Sequence, residues 1–184
     1  MKKVILGATG SIGSSLAKKL VESGEQVHLV GRDEASLSDL ANELNSTFTT
    51  CDVLEENFSE KIINDLKDER VNGLAYCVGS IDLKPLKLTK KSDFMQSFNL
   101  NLVSATEIIK SLADNLKANK GSIVLFSTVA VKQGFPNHAI VSSAKGAVEG
   151  LTLALAAEYA PNIRVNCIAP SLTNSKISNF LLKN

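Results

Sequence analysis

Apolar runs and helical patterns alternate along this chain from one end to the other. KVIL (3–6) is a short unbroken apolar run of the kind a buried strand makes. After it, Ile12, Leu16, Leu20 and Val21 recur at the spacing of one helix face. VHLV (27–30) predicts a second strand, and Leu37, Leu40, Ala41 and Leu44 a second helix. FTT (48–50) and the series Phe58, Ile62, Leu66 repeat the alternation. LAYCV (74–78) predicts a fourth strand, followed by a long helix through Leu102, Ala105, Ile109, Leu112 and Leu116. SIVLFS (122–127) predicts the fifth strand. A helix follows, marked by Ala144, Ala147, Val148, Leu151, Leu155 and Tyr159, and IRVNCIA (163–169) is the sixth strand. The mixed stretch IDLKPLKLTKKSD (81–93), with Pro85 and four lysines, predicts an exposed loop.

Strands that are apolar throughout, each followed by a helix, predict a parallel sheet covered on both faces. The expected fold is therefore α/β: a Rossmann-type doubly wound parallel sheet in three α/β/α layers. One domain over residues 1–184 accounts for the pattern, with no internal repeat or linker. In such sheets ligands sit beyond the carboxyl ends of the strands, near the switch in strand order.

Composition adds exclusions. Apolar residues are 44% and charged residues 21%, ordinary for a globular domain. Lys plus Arg is 20 against 19 for Asp plus Glu, so no charge excess argues for nucleic acid or an anionic membrane. The apolar run after the two leading lysines stops at Gly7, short of the roughly 7–15 residues of a secretory core. No run approaches the ~18 uninterrupted apolar residues of a membrane span. Cys51, Cys77 and Cys167 are too far apart for a zinc knuckle, and no metal site is expected. They read as buried free thiols in a reducing cytoplasm.

The first strand runs straight into GATGSIG, with Gly7, Gly10 and Gly13 spaced around the opening of a helix. Glycines there let the backbone turn tightly and bring amide N–H groups and a helix N-terminus up to a pyrophosphate. With the strand before and the helix after, the chain resembles the short-chain dehydrogenase/reductase family over essentially its whole length. That family's loop commonly reads T-G-x-x-x-G-x-G; here the glycines are spaced G-x-x-G-x-x-G. The resemblance implies a site for NAD(H) or NADP(H) formed by Gly7, Thr9, Gly10, Ser11, Ile12 and Gly13. After the second strand, VGRDEASL places Gly31 and then Arg32 where an NAD-selecting carboxylate would stand. A guanidinium grips a phosphate with two hydrogen bonds, so NADP(H) is expected to be preferred over NAD(H). By resemblance, Asp52 and Val53 of CDV border the adenine. Val78 and Gly79 of AYCVGS stand where the family has N-N-A-G.

The family's catalytic set is Asn, Ser, Tyr and Lys. Asn101, in SFNLNLVSA, and Lys145, in SAKGAVEG, match two of these. The serine falls on Thr128, with Ser127 beside it. The tyrosine, four residues before the lysine, falls on Val141, which has no proton to give. Tyr76 and Tyr159 lie in a strand and late in a helix. His138, in GFPNHAI, is the candidate replacement acid. Ser142 and Ser143 read as helix caps. NCIAPSLTNSKI resembles the turn over the nicotinamide, through Pro170, Thr173 and Ser175. The family's substrate lid, a last helix and a seventh strand would follow where this sequence ends.

Beside a different chemistry on the same cofactor frame, such as isomerisation or dehydration, two functions compete. One is an NADP(H)-dependent oxidoreductase of a small carbonyl or alcohol, with an unusual proton donor. The other is a dinucleotide-binding sensor or scaffold without catalysis. A homodimer or homotetramer is expected through the long helix and the helix carrying Lys145.

Overall fold

The computed structural model describes residues 1–175 and 178. Six parallel strands form one sheet in the order β3-β2-β1-β4-β5-β6. The strands are β1 (Lys2–Leu6), β2 (Gln26–Gly31), β3 (Thr47–Thr50), β4 (Val71–Tyr76), β5 (Ser122–Phe126) and β6 (Arg164–Ile168). The order reverses between β1 and β4, so the crevice of a doubly wound sheet opens at their carboxyl ends.

Helices cover both faces. α1 (Ser11–Glu22) and α2 (Glu34–Glu43) pack with Ile5, Val27, Leu29 and Ala75 into one core cluster. α3 (Phe58–Leu66), α4 (Lys91–Phe98) and α5 (Ser104–Ala118) lie before β5, and α7 (Ala139–Tyr159) precedes β6. Phe58, Ile62, Ile108, Ile109, Leu112 and Val148 from three of these pack on Val4, Leu6, Leu74 and Tyr76. Alternate residues of β1 thus enter opposite cores, as a period of two demands. A one-turn helix, α6 (Ala130–Gln133), follows β5.

Three expectations shift. β4 begins at Val71 and ends at Tyr76, so Cys77 and Val78 turn out of the sheet, although the Cys77 amide still donates to the Leu6 carbonyl at 2.9 Å. The loop expected over 81–93 ends earlier: Leu86–Leu88 forms a 3-10 turn and α4 starts at Lys91. Asp93 sets that start by accepting from the Lys90 amide at 2.8 Å. Ser142 and Ser143 are not caps. α7 opens after His138, and their hydroxyls donate back to the carbonyls of Ala130 and Ala139. Lys145 consequently sits in the second turn of α7.

α7 has the length and mean hydropathy, 1.3 over its most apolar 18-residue window, of a membrane-spanning helix. Lys145 and Glu149 interrupt the run, and Ile140, Val141, Ala144 and Val148 are buried in the fold.

Candidate functional site

The glycine loop leaves β1 at the point of strand reversal. Gly7 has φ +73°, and a Cβ on it would stand 2.9 Å from the carbonyl carbon and oxygen of Cys77. A Cβ on Gly13 would meet the backbone of Ala8 at 2.9 Å and collide with the Gly7 carbonyl. No side chain fits either place, so the backbone itself lines the crevice. Gly10 caps α1, and no side chain caps the amides of the first turn at Ser11, Ile12 and Gly13.

Arg32 leaves the end of β2 with a 75% exposed side chain, 3.5 Å from Asp52 at the end of β3. Asp52 also accepts from the Leu54 amide at 3.0 Å, and Val53 beside it is buried. Thr9 reaches the same arm of the crevice: its hydroxyl lies 3.7 Å from where a Cβ on Gly31 would be. Asp33 turns away to cap α2, accepting from the Ser36 amide at 2.8 Å.

Asn101 lies in a π-helical segment, Asn99–Val103, that joins α4 to α5. An extra residue in a helical turn re-aims a side chain, and such bulges cluster at functional sites. Two groups hold the bulge: the Tyr76 hydroxyl donates to the Leu100 carbonyl at 2.7 Å, and Ser104 Oγ to the Asn99 carbonyl at 2.9 Å. Asn101 Nδ2 donates to the Ser97 carbonyl at 2.9 Å. Its Oδ1 is buried with no partner among the described residues. Opposite it is Gly79, where a Cβ would stand 3.1 Å from that Oδ1 and 3.3 Å from Lys145 Nζ. Lys145 is 8% exposed, and burial pushes its ammonium down to about 8.

A cavity of about 430 Å³ opens in front of this cluster. Ile12, Val78, Gly79, Thr128, Val141, Lys145, Pro170 and Thr173 all reach it, as does His138. The Ser127 hydroxyl donates to Glu149 at 2.6 Å, whereas Thr128 Oγ1 only accepts a long 3.3 Å contact from the Ala130 amide and keeps its proton free. His138 Nδ1 lies 2.8 Å from the Pro136 carbonyl, which can only accept, so Nδ1 carries hydrogen and Nε2 is left without that bond on a ring that lines the cavity. Val141 is 5% exposed and lines the wall. Neither tyrosine reaches the cavity: Tyr76 is buried in β4 and Tyr159 packs against the core.

Sequence patterns did not single out Ile81, Phe135 and Leu172 on the same wall. A lone phenylalanine in the turn-like stretch GFPNHAI was the one signal for Phe135. Among the described residues no cluster of three or more His, Cys, Asp or Glu is placed to hold a metal.

A family model described as enoyl-(acyl carrier protein) reductase matches residues 7–183. The chain is 31% identical over 177 residues to an L-xylulose reductase of Bos taurus, covering 93% of this chain and 71% of that one. It belongs to the short-chain dehydrogenase/reductase family. A second relative of this short-chain dehydrogenase/reductase, an L-fucose dehydrogenase of Oryctolagus cuniculus, is 32% identical over 172 residues, covering 91% of this chain and 61% of that protein. The chain thus spans about two thirds of the length of these relatives. A solved short chain dehydrogenase/reductase family protein superposes with TM-score 0.93 at 24% identity, over 100% of this chain and 79% of the other. A serine dehydrogenase complexed with NADP+ superposes with TM-score 0.91 at 20% identity, over 100% and 77%.

Proposed function

We propose that this chain is an NADP(H)-dependent oxidoreductase that interconverts a carbonyl group and an alcohol on a small molecule. The observation that carries the reading is the convergence of the buried Asn101 and Lys145 side chains on Gly79 beyond the glycine loop. A buried lysine with no ion pair among the described residues, facing an unpartnered amide oxygen, favours a ligand that brings hydroxyl groups.

The residues fit a dinucleotide. The cradle of Gly7 and Gly13 and the first-turn amides of α1 suit a pyrophosphate. Arg32, with Thr9 nearby, suits a 2′-phosphate, and Asp52 and Val53 border the adenine. Lys145 and Asn101 take the nicotinamide ribose, and Val78, Gly79, Pro170 and Thr173 line the ring's end. Bound there, the cofactor supplies or takes up the hydride.

Reduction of a carbonyl also consumes one proton. Thr128 hydrogen-bonds the substrate oxygen through its free hydroxyl. His138, as imidazolium, delivers the proton from Nε2, directly or through a water. The second reading, a dinucleotide binder without catalysis, is favoured by Val141 alone, since it puts a methyl-bearing wall where the family's phenol stands.

The proposed working form is a cytoplasmic homodimer or homotetramer assembled through α5 and α7. Calorimetric titration with NADPH and then NADH tests the reading. Micromolar NADPH binding, about tenfold or more tighter than NADH, is expected. Absence of binding to either cofactor overturns it.

A further inference from the structure

We infer that the cavity selects a largely apolar carbonyl compound and rejects polyhydroxylated and cationic ones, with Val141 as a specificity-determining residue. This deepens the proposed function and rests on it for the identity of the reacting group.

Three features of the wall carry the inference. The first is its chemistry beyond Thr128 and Lys145. Ile81, Val129, Phe135, Val141 and Leu172 surround the place where a substrate chain would lie. Phe135 is 45% and Leu172 55% exposed. Large apolar side chains left in water on a cavity wall favour an apolar occupant, because its binding removes that surface from solvent.

The second feature is that four of the seven hydroxyls on this wall are committed to bonds within the protein, leaving Ser80, Thr128 and Ser171. Ser127 donates to Glu149 at 2.6 Å, and Thr173 donates to the Ser171 carbonyl at 3.0 Å. Ser175 and Ser178 bond each other at 2.7 Å, and Ser178 also contacts the Thr173 carbonyl. A polyol entering here gives up water at each hydroxyl and finds few partners in return, and an unpaired buried hydroxyl is expensive. Selection of this kind works against the polar competitor more than it favours the apolar one.

The third feature is charge. No carboxylate and no arginine lines the cavity among the described residues. Lys145 and His138 are the ionisable groups there apart from the Cys77 thiol, which burial pushes up to about 12 and so keeps neutral. An ammonium on the substrate would therefore be buried beside Lys145 with no carboxylate on the wall to pair with it. At Val141 the side chain lies one helical turn before Lys145, so it borders the reacting carbonyl rather than the distant end of the substrate. A valine there offers contact and no hydrogen bond.

Calorimetry decides the matter with two ketones, methyl heptyl ketone and the ketopentose xylulose. Each is titrated into NADPH-loaded protein and into cofactor-free protein. Methyl heptyl ketone is expected to bind about tenfold or more tighter than xylulose in both forms. Val141→Thr, which adds a hydroxyl at nearly constant volume, is expected to narrow that ratio at least about threefold. Equal or tighter binding of xylulose, or no binding of either ketone to protein that holds NADPH, overturns the inference. Failure of NADPH to bind overturns the proposed function instead, and the ranking of the two ketones on cofactor-free protein still decides this one.

Discussion

Gly79 and Lys145 meet edge-on at the floor of the cleft: a single methyl group on Gly79 would stand 3.3 Å from Lys145 Nζ. The same methyl would be 3.1 Å from the buried Oδ1 of Asn101. Lys145 has a flexible end and can retreat, while Asn101 is held through Nδ2 by the Ser97 carbonyl in the π-helical segment. Gly79→Ala is therefore expected to displace the ammonium rather than unfold the protein. NADPH affinity should fall about tenfold while Tm moves by no more than about 3 degrees. Calorimetry and a thermal melt on one sample check both numbers.

Lys145 gives the site a pH dependence with a defined sign. Its folded value, about 8, lies below the ordinary 10.5, and burial is the cause. Below about pH 8 folded and unfolded chains both carry the proton, and the cost of burying it, about 3 kcal/mol, stands in full. Between 8 and 10.5 only the unfolded chain keeps the proton, so stability rises with pH across that window. Lys145→Met should accordingly raise Tm at pH 7. In the proposed function the charge that destabilises the fold also binds the cofactor, so NADPH affinity should fall as pH rises through about 8 and be flat in the methionine variant. Affinities measured from pH 6.5 to 9.5 in about half-unit steps test this.

Arg32 is the proposed determinant of cofactor choice. Its guanidinium is exposed and leans on Asp52 at 3.5 Å, a contact weak enough to be exchanged for a phosphate. Arg32→Ala should weaken NADPH about tenfold or more and NADH less than about threefold. Equal weakening of both would sink the assignment of this residue to the 2′-phosphate.

How much was legible in the sequence differed from strand to strand. β1, β2 and β4 lie at the centre, buried on both faces, and their largely apolar runs declared them. β4 was misplaced at both ends, because Asn72 and Gly73 look like a turn and Cys77 and Val78 continue the apolar run while already bending toward Gly7. The candidate catalytic positions were assigned by spacing along the chain, which fixes which residues stand where. What spacing does not carry is commitment. Ser127 and Thr128 are adjacent hydroxyls in sequence, and only the packing of Glu149 against Ser127 separates them. The π-helical segment left no mark either, since its cause is a pair of bonds from Tyr76 and Ser104 rather than a local propensity.

In the proposed function, catalysis turns on Val141. It lines the cavity one helical turn before Lys145, next to space that a larger ring can enter. A phenol there would be close to an ammonium, which favours its ionised form and makes it a better acid near neutrality. Val141→Tyr should raise kcat for an apolar ketone by about a hundredfold or more, with little change in NADPH affinity. Measured in parallel, His138→Gln should lower the native rate and leave the rate of the tyrosine variant nearly unchanged. If His138→Gln has no effect on the native rate, the histidine is not the proton donor.

Far from the cleft, His28 makes folding sensitive to acid. The ring is fully buried in β2, with Nδ1 2.8 Å from Thr47 Oγ1 and Nε2 3.0 Å from Thr49 Oγ1. Thr49 donates its own proton to Asp65 at 2.6 Å, so it must accept from His28, which places the ring hydrogen on Nε2. Thr47 accepts from Lys2 at 2.8 Å and gives its proton to Nδ1. The neutral ring is thus fully satisfied, and a second proton would arrive beside an ammonium. Burial first, and Lys2 second, push its value down to about 4. The folded chain therefore binds this proton less readily than the unfolded one, whose value is 6.5. Stability is present in full above 6.5 and is lost as pH falls toward 4, by up to about 3 kcal/mol. Urea denaturation at pH 7 and pH 4.5 should show that loss, and His28→Gln should remove most of the difference between the two pH values. A variant that loses stability with acid as steeply as the native chain would assign the effect to the carboxylates instead.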